Sequence, residues 1–215
     1  MFDAAKLKLY YDFLLNTMKD EGETPELQAV MGQIVEQFIK PLKLKKTAKI
    51  LDVGCGVGYF MDEMKSMGYK DLTGVTWTAG DIEACGKKKH KIIKGDINFI
   101  KDDDDKYDLI FCRHALEKSV FPMVALMEYN RLLKKGGLLY LETPAPHNAR
   151  FYENWDRNYS VVNEIMLQSW VVRAGFDIEW YRNASVPITH NETGKTTQDT
   201  YNCVLAKKKA TLAVK

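Results

Sequence analysis

Residues 50–60 read ILDVGCGVGYF, and this stretch narrows the possible folds more than any other part of the chain. Ile50, Leu51 and Val53 mark a short apolar strand carrying an acid, Asp52, near its end. Gly54, Gly56 and Gly58 follow at alternate positions, and a helix begins at Tyr59. Glycine allows the backbone to approach a ligand where a β-carbon would clash, and the next helix presents unpaired amides at its N-terminus. Gly58 is expected to let that helix pack near the strand. The pattern departs from the dinucleotide fingerprint, in which the third glycine comes one position later and an acid follows about 20 residues on. Thr76 stands where that acid would be. The stretch predicts a ligand-binding strand, turn and helix, and argues against NAD or FAD.

The rest of the chain repeats the same alternation. Helices are predicted over residues 3–19 and again from Pro25, capped by Thr24 and followed by Pro41. Apolar strands are predicted at 48–54, 72–77, 91–95, 107–113 and 138–143, with helices at 59–67, 79–89, 121–135 and 161–174. The helix at 59–67 is expected to stop at Gly68. That at 121–135 is expected to stop at Gly136-Gly137, with Lys134 and Lys135 complementing its dipole. Unbroken apolar strands alternating with helices imply a mostly parallel sheet covered on both faces. The strands at 176–182 and 201–207 have no helix between them and are expected to pair antiparallel.

With 215 residues the chain suits one domain with an appendage. A formal net charge of +2 gives no bulk attraction to nucleic acid or membrane. The clusters Lys87-Lys88-Lys89 and Lys207-Lys208-Lys209 are read as solvated element ends, and DDDDK at 102–106 as an acidic surface turn. Cys55, Cys85, Cys112 and Cys203 lack paired spacing, which fits free thiols in a cytoplasmic setting and no metal site. No signal peptide or membrane-spanning run is evident. Glycosylation patterns at Asn158, Asn183 and Asn191 are then chance matches.

In five blocks the chain resembles the class I S-adenosylmethionine-dependent methyltransferases over about residues 45–208. The blocks are ILDVGCGVGYF, the turn at Thr76-Trp77, GDI (95–97), DLIFCRHALE (108–117) and RLLKKGGLLYLETP (131–144). The resemblance implies an α/β, Rossmann-like fold with seven strands, a mostly parallel sheet, an antiparallel final hairpin and helices on both faces. Residues 1–44 then form a helical extension, a lid or cap, and residues 45–215 the cofactor-binding domain. The ETPAP segment and Gly175-Phe176 are most similar to the group that methylates sugars, quinones and other small acceptors. The run CRHALEKS, EYNRLLKKGG and ETPAP also resembles methyltransferases of marine tailed phages.

The resemblance assigns S-adenosylmethionine as cofactor. Asp52, Gly54, Cys55, Gly56 and Tyr59 would face its methionine part, with Arg113 at the same end. Asp96 would accept from the adenine amino group, with Ile97 against the ring; otherwise Asp96 is an ordinary polar loop residue. Most relatives hold the ribose with a carboxylate at position 76. A subset similar to cyclopropane fatty acid synthases carries threonine there and a polar residue five positions on, which here is Asp81. Thr76 and Asp81 would take over that role and Trp77 would cover the adenosine, unless Asp81 only caps its helix and Trp77 only packs.

Two departures bear on catalysis. Relatives often carry Leu-Glu-His where this chain has Leu116-Glu117-Lys118, and a histidine where Asn158 stands. His114 and His147 are the remaining candidate bases. The irregular segment 145–160 leaves the carboxyl end of the fifth strand and carries Tyr152, Trp155 and Tyr159, candidates for stacking on an acceptor. The leading reading is methyl transfer to a small-molecule or glycan-linked acceptor. A nucleic-acid methyltransferase and a cofactor-binding pseudoenzyme acting as a partner subunit are the alternatives. The first lacks the Asn/Asp-Pro-Pro-aromatic motif and a basic tract; the second draws on the missing carboxylate and histidines.

Overall fold

The computed structural model describes residues 3–20, 22–148, 150–189 and 196–209. The glycosylation pattern at Asn191 lies outside them. Two helices open the chain, α1 (Ala4–Thr17) and α2 (Pro25–Ile34), the latter running on through a π turn, Val35–Ile39. Asp3 caps α1 through the Ala5 amide, and Thr24 caps α2 through the Leu27 amide. Five strands and three helices follow: β1 (Lys49–Val53), α3 (Tyr59–Ser66), β2 (Asp71–Thr76), α4 (Ala79–Lys87), β3 (Lys91–Lys94), β4 (Tyr107–Arg113), α5 (Pro122–Leu132) and β5 (Leu133–Pro144). Helix α6 (Glu164–Arg173) leads into a long hairpin, β6 (Phe176–Thr189) and β7 (Thr196–Lys208).

The seven strands form one sheet in the order β3-β2-β1-β4-β5-β7-β6. Strands β1 to β5 are parallel, and β7 runs antiparallel to both β5 and β6. The expected Rossmann-like architecture and antiparallel final hairpin are borne out. Strand alternation divides the core into two layers. Leu51, Val53, Ile110, Cys112, Leu139 and Leu141 face α5 and α6, where they meet Leu126, Tyr129, Leu167 and Val171. Ile50, Leu109, Phe111 and Tyr140 point the other way, toward Val35, Phe38, Phe60 and Met64. Phe111 lies stacked between Phe60 at 3.9 Å and Tyr140 at 5.1 Å between ring centroids. Every central strand is therefore buried on both sides, which is why its sequence reads as an apolar run.

Several elements differ from the sequence expectation. Helix α5 ends at Leu132, before the two glycines, because Leu133 turns extended (ψ 141°) and pairs with Tyr107 in the sheet. Lys134 therefore does not complement a helix dipole; its ammonium pairs with Asp108 on β4 at 2.8 Å. Helix α6 starts at Glu164, three residues late, because Asn163 caps it through the Met166 amide. The final strands extend well beyond 176–182 and 201–207, their outer halves pairing with each other. Lys208 is buried, not solvated: its Nζ donates to Leu133 O and to Asp105, both at 2.7 Å. Lys88 also reaches inward, donating to Val57 O at 2.9 Å and so tying down the glycine turn. Gly58 (φ +89°) packs against His90 and Cys85 and not the strand: a β-carbon there would lie 2.9 Å from the His90 ring. All four cysteines are buried free thiols.

Candidate cofactor and acceptor site

The strand order reverses at β1, whose neighbours are β2 on one side and β4 on the other. Crevices at such switch points, beyond the carboxyl ends of parallel strands, are where α/β sheets bind ligands. A cavity of about 340 Å³ opens there, within the range of about 300–1,000 Å³ usual for small-molecule sites. Its walls come from the ends of β1, β2, β3 and β4, from α1, from Tyr201 of β7, and from the 150–158 segment.

Gly54 and Gly56 line the cavity with φ of +73° and +49°. For Gly54 the demand is also one of packing, since a β-carbon would lie 2.4 Å from that of Ala115. Gly95, after β3, lines the same cavity, and a β-carbon there would meet nothing within 4 Å. Asp52, Cys55 and Tyr59 border a small recess of about 20 Å³ that shares Gly54 and Arg113 with the main cavity.

At the end of β2 the structure brings together the predicted pair. Asp81 Oδ2 accepts from Thr76 Oγ1 at 3.4 Å and Thr78 Oγ1 at 2.7 Å, and both Asp81 and Thr76 line the cavity. Trp77 carries Tyr11 of α1 stacked on one face, at 5.6 Å and 9° between planes. Asp96 is held more tightly than the sequence suggested. Its Oδ1 accepts from the Asn98 amide at 2.9 Å and side chain at 2.7 Å, and its Oδ2 accepts from Tyr10 Oη at 3.0 Å. A carboxylate offers about four acceptor positions, so Oδ2 keeps capacity for one more donor. Ile97 lines the wall beside it.

Arg113 donates from Nε to Glu142 Oε1 at 2.7 Å, and Tyr140 Oη donates to Glu142 Oε2 at 2.8 Å. Burial, the largest influence, pushes the Glu142 carboxyl pKa up, but the Arg113 charge together with His114 and the Tyr140 hydroxyl outweighs it and brings it down to about 2. His114 follows in a left-handed conformation (φ +51°), its Nε2 3.4 Å from Glu142 Oε1 without a hydrogen bond to it. Burial, and then the adjacent Arg113 charge, push its pKa below the ordinary histidine value. His114 is thus a neutral imidazole on the cavity wall at neutral pH, competent to accept a proton. His147 is not brought to the site: its side chain is 94% exposed, 3.8 Å from Glu153.

Tyr152 and Trp155 line the cavity with their rings 4.8 Å apart. Tyr159 does not line it; its hydroxyl donates to Thr17 at 3.2 Å, and its ring packs against Phe13, so it holds α1. Sequence reasoning missed Tyr10, Asn98, Arg150 and Tyr201. Behind them Asp199 is fully buried, paired with Arg150 Nε at 3.0 Å and close to the hydroxyls of Tyr152 and Tyr201. Only Asn98 left a trace, two positions after Asp96 in GDIN; Arg150 and Tyr201 meet through Asp199 of the extended hairpin, and Tyr10 reaches Asp96 only once α1 docks.

These residues suit the cofactor that the resemblance names. Trp77 Nε1, His114 Nε2, Glu117 Oε2 and Asn158 Oδ1 are buried without a hydrogen-bond partner, all on residues of this cavity. Buried polar atoms left so cost about 1–3 kcal/mol each until a ligand or solvent satisfies them. Gly95 leaves room for a ring where a side chain would stand.

Fold and site together define a Rossmann-like, class I S-adenosylmethionine-dependent methyltransferase architecture. The chain belongs to the methyltransferase-domain family, whose model matches residues 26–180. It is 31% identical over 120 residues to the demethylmenaquinone methyltransferase of Staphylococcus aureus (strain JH9), a match covering 52% of this chain and 49% of that protein. The chain thus aligns with about half the length of the curated relatives it matches. Among solved structures it superposes on a protein from Bacillus halodurans C-125 with a TM-score of 0.71, 16% identity, and coverage of 83% of this chain and 100% of that one. A SAM-dependent methyltransferase from Archaeoglobus fulgidus gives 0.67 at 18% identity, covering 93% and 99%. No described helix is long and apolar enough to cross a membrane.

Proposed function

We propose that this chain transfers a methyl group from S-adenosylmethionine to a small-molecule or glycan-linked acceptor. The observation that carries the reading is the cavity at the β1 switch point, floored by Gly54 and Gly56 and ringed by buried polar atoms that lack protein partners. Asp96 and Ile97 take the adenine, the Thr76–Asp81 pair the ribose, and the free face of Trp77 covers the nucleoside. Asp52, Gly54, Cys55, Gly56, Tyr59 and Arg113 surround the methionine part. Helix α1 is a lid over the nucleoside, anchored by Tyr10 on Asp96, and the segment after it is held by the Gly80 amide donating to Asp20 at 3.0 Å.

The cofactor supplies a methyl group already activated on a sulfonium. The chain's own residues then align the acceptor and exclude water. Tyr152 and Trp155 present aromatic faces, and His114 takes the acceptor's proton where one must leave. Glu142 steadies the resulting imidazolium from its place 3.4 Å away. The Staphylococcus relative is named for a quinone acceptor, whose ring agrees with the aromatic wall. Incubation with S-adenosylmethionine labelled in its methyl group and a panel of phenols, quinols and glycosides tests the reading. Label should enter a member of the panel and His114→Asn should slow it; label staying on the cofactor throughout would count against it.

A further inference from the structure

Glu117 lies in a single 3-10 turn (Leu116–Lys118) after β4 and is 2% exposed, yet its Oε2 has no hydrogen-bond partner. The nearest cation, Lys118, is 3.8 Å from Oε1, beyond hydrogen-bond reach. The turn is rigidly set: the Glu117 carbonyl accepts from the Tyr159 amide at 2.7 Å and the Ser160 amide at 3.0 Å. Asn158 lines the same cavity in the same condition. Its Nδ2 donates to Tyr152 O at 2.9 Å, leaving Oδ1 buried and unsatisfied. Both orphaned atoms are acceptors. What satisfies them must donate, and it must do so beside the rings of Tyr152 and Trp155.

Charge then decides between donors. Lys19, Arg113, Lys118, Arg150 and Arg157 all line this cavity. Arg113 and Arg150 are paired with Glu142 and Asp199, while Arg157 sits over the Trp155 ring at 5.5 Å. Asp81, Asp96 and Glu117 line the cavity too and offset Lys19, Lys118 and Arg157, and Lys118, 3.8 Å from Glu117 Oε1, already balances that carboxylate; an ammonium would enter beside this like charge, whereas a neutral hydroxyl would not.

We infer that Glu117 and Asn158 form the specificity-determining subsite of the acceptor, which reads hydroxyl groups on a ring stacked against Tyr152 and Trp155. This rests on the methyltransferase reading above. The test uses the chain saturated with S-adenosylhomocysteine, so that cofactor and acceptor failures separate. Saturation-transfer NMR follows catechol and methyl glucoside against their fully O-methylated counterparts, with benzylamine as the ammonium arm. At least one hydroxylated probe should bind about tenfold more tightly than its methylated form, the effect of losing a hydrogen bond to a charged group. Glu117→Gln should remove most of that preference while S-adenosylhomocysteine affinity holds. Should Glu117→Gln fail to fold, Asn158→Ala and the wild-type probe comparison carry the test. Equal binding of hydroxylated and methylated probes, no binding of either, or preference for benzylamine would overturn the inference. Failure of the wild-type chain to bind S-adenosylhomocysteine would instead remove the cofactor reading beneath it.

Discussion

Tyr10 donates its hydroxyl to Asp96 across 3.0 Å, joining α1 to a loop 86 positions along the chain. The same hydroxyl accepts from Asn98 at 3.1 Å. If α1 closes over the nucleoside, these bonds hold the lid shut, and losing a bond of this kind costs on the order of 1 kcal/mol. Tyr10→Phe is expected to speed S-adenosylhomocysteine dissociation about fivefold, as followed by stopped-flow fluorescence. An unchanged dissociation rate would mean that α1 merely packs.

The glycines divide by what surrounds them. Gly54→Ala drives a β-carbon to 2.4 Å from that of Ala115 at a φ of +73°, so it should unfold or strongly destabilise the chain. Gly95→Ala meets nothing within 4 Å and should leave the melting temperature within a few degrees while lowering cofactor affinity. Thermal melts and titrations of both variants check the contrast. A stable Gly54→Ala variant would contradict the packing account, and a Gly95→Ala variant with full affinity would take Gly95 out of the site.

Much of this was legible in the sequence because the information was local. Asp52 to Tyr59 showed a strand, a turn and a helix in order, and the distance from Thr76 to Asp81 is fixed by one turn of chain. Asn163 and Leu133 show where such reading fails: a cap moved the start of α6, and a sheet pairing moved the end of α5 back from Gly136-Gly137, where the glycines had set it. Tyr10 against Asp96, and Asp199 against Arg150, Tyr152 and Tyr201, are contacts made by tertiary folding. Nothing in the spacing of those residues foretells them. Lys208 looked like a solvated tail because its partners, Asp105 and Leu133, lie far back in the chain.

The Glu142 site sets an acid limit. Its folded pKa, about 2, lies below that of a free carboxylate. A depressed carboxylate stabilises the fold fully above its unfolded value and loses that contribution as pH falls toward the folded one. Melting temperature should therefore hold above about pH 5 and fall steeply between about pH 4.5 and 2. Arg113→Met removes the charge that holds the proton off, so its decline should begin at higher pH. Identical acid profiles for the two proteins would contradict the pairing.

Trp155 offers its ring to the cavity and keeps its Nε1 on Arg150 O at 3.1 Å. Trp155→Ala should raise KM for an acceptor severalfold and leave cofactor affinity unchanged, the signature of lost ground-state binding. A change confined to the melting temperature would make Trp155 a packing residue.

Whether the Asp96 end of the cavity holds adenine is decided by calorimetric titration with S-adenosylhomocysteine. The wild-type chain is expected to bind one equivalent, and Asp96→Ala to bind at least about fivefold more weakly with its fold intact, as losing one hydrogen bond requires. Wild-type chain that does not bind, or an Asp96→Ala variant that binds as tightly as wild type, would contradict that placement.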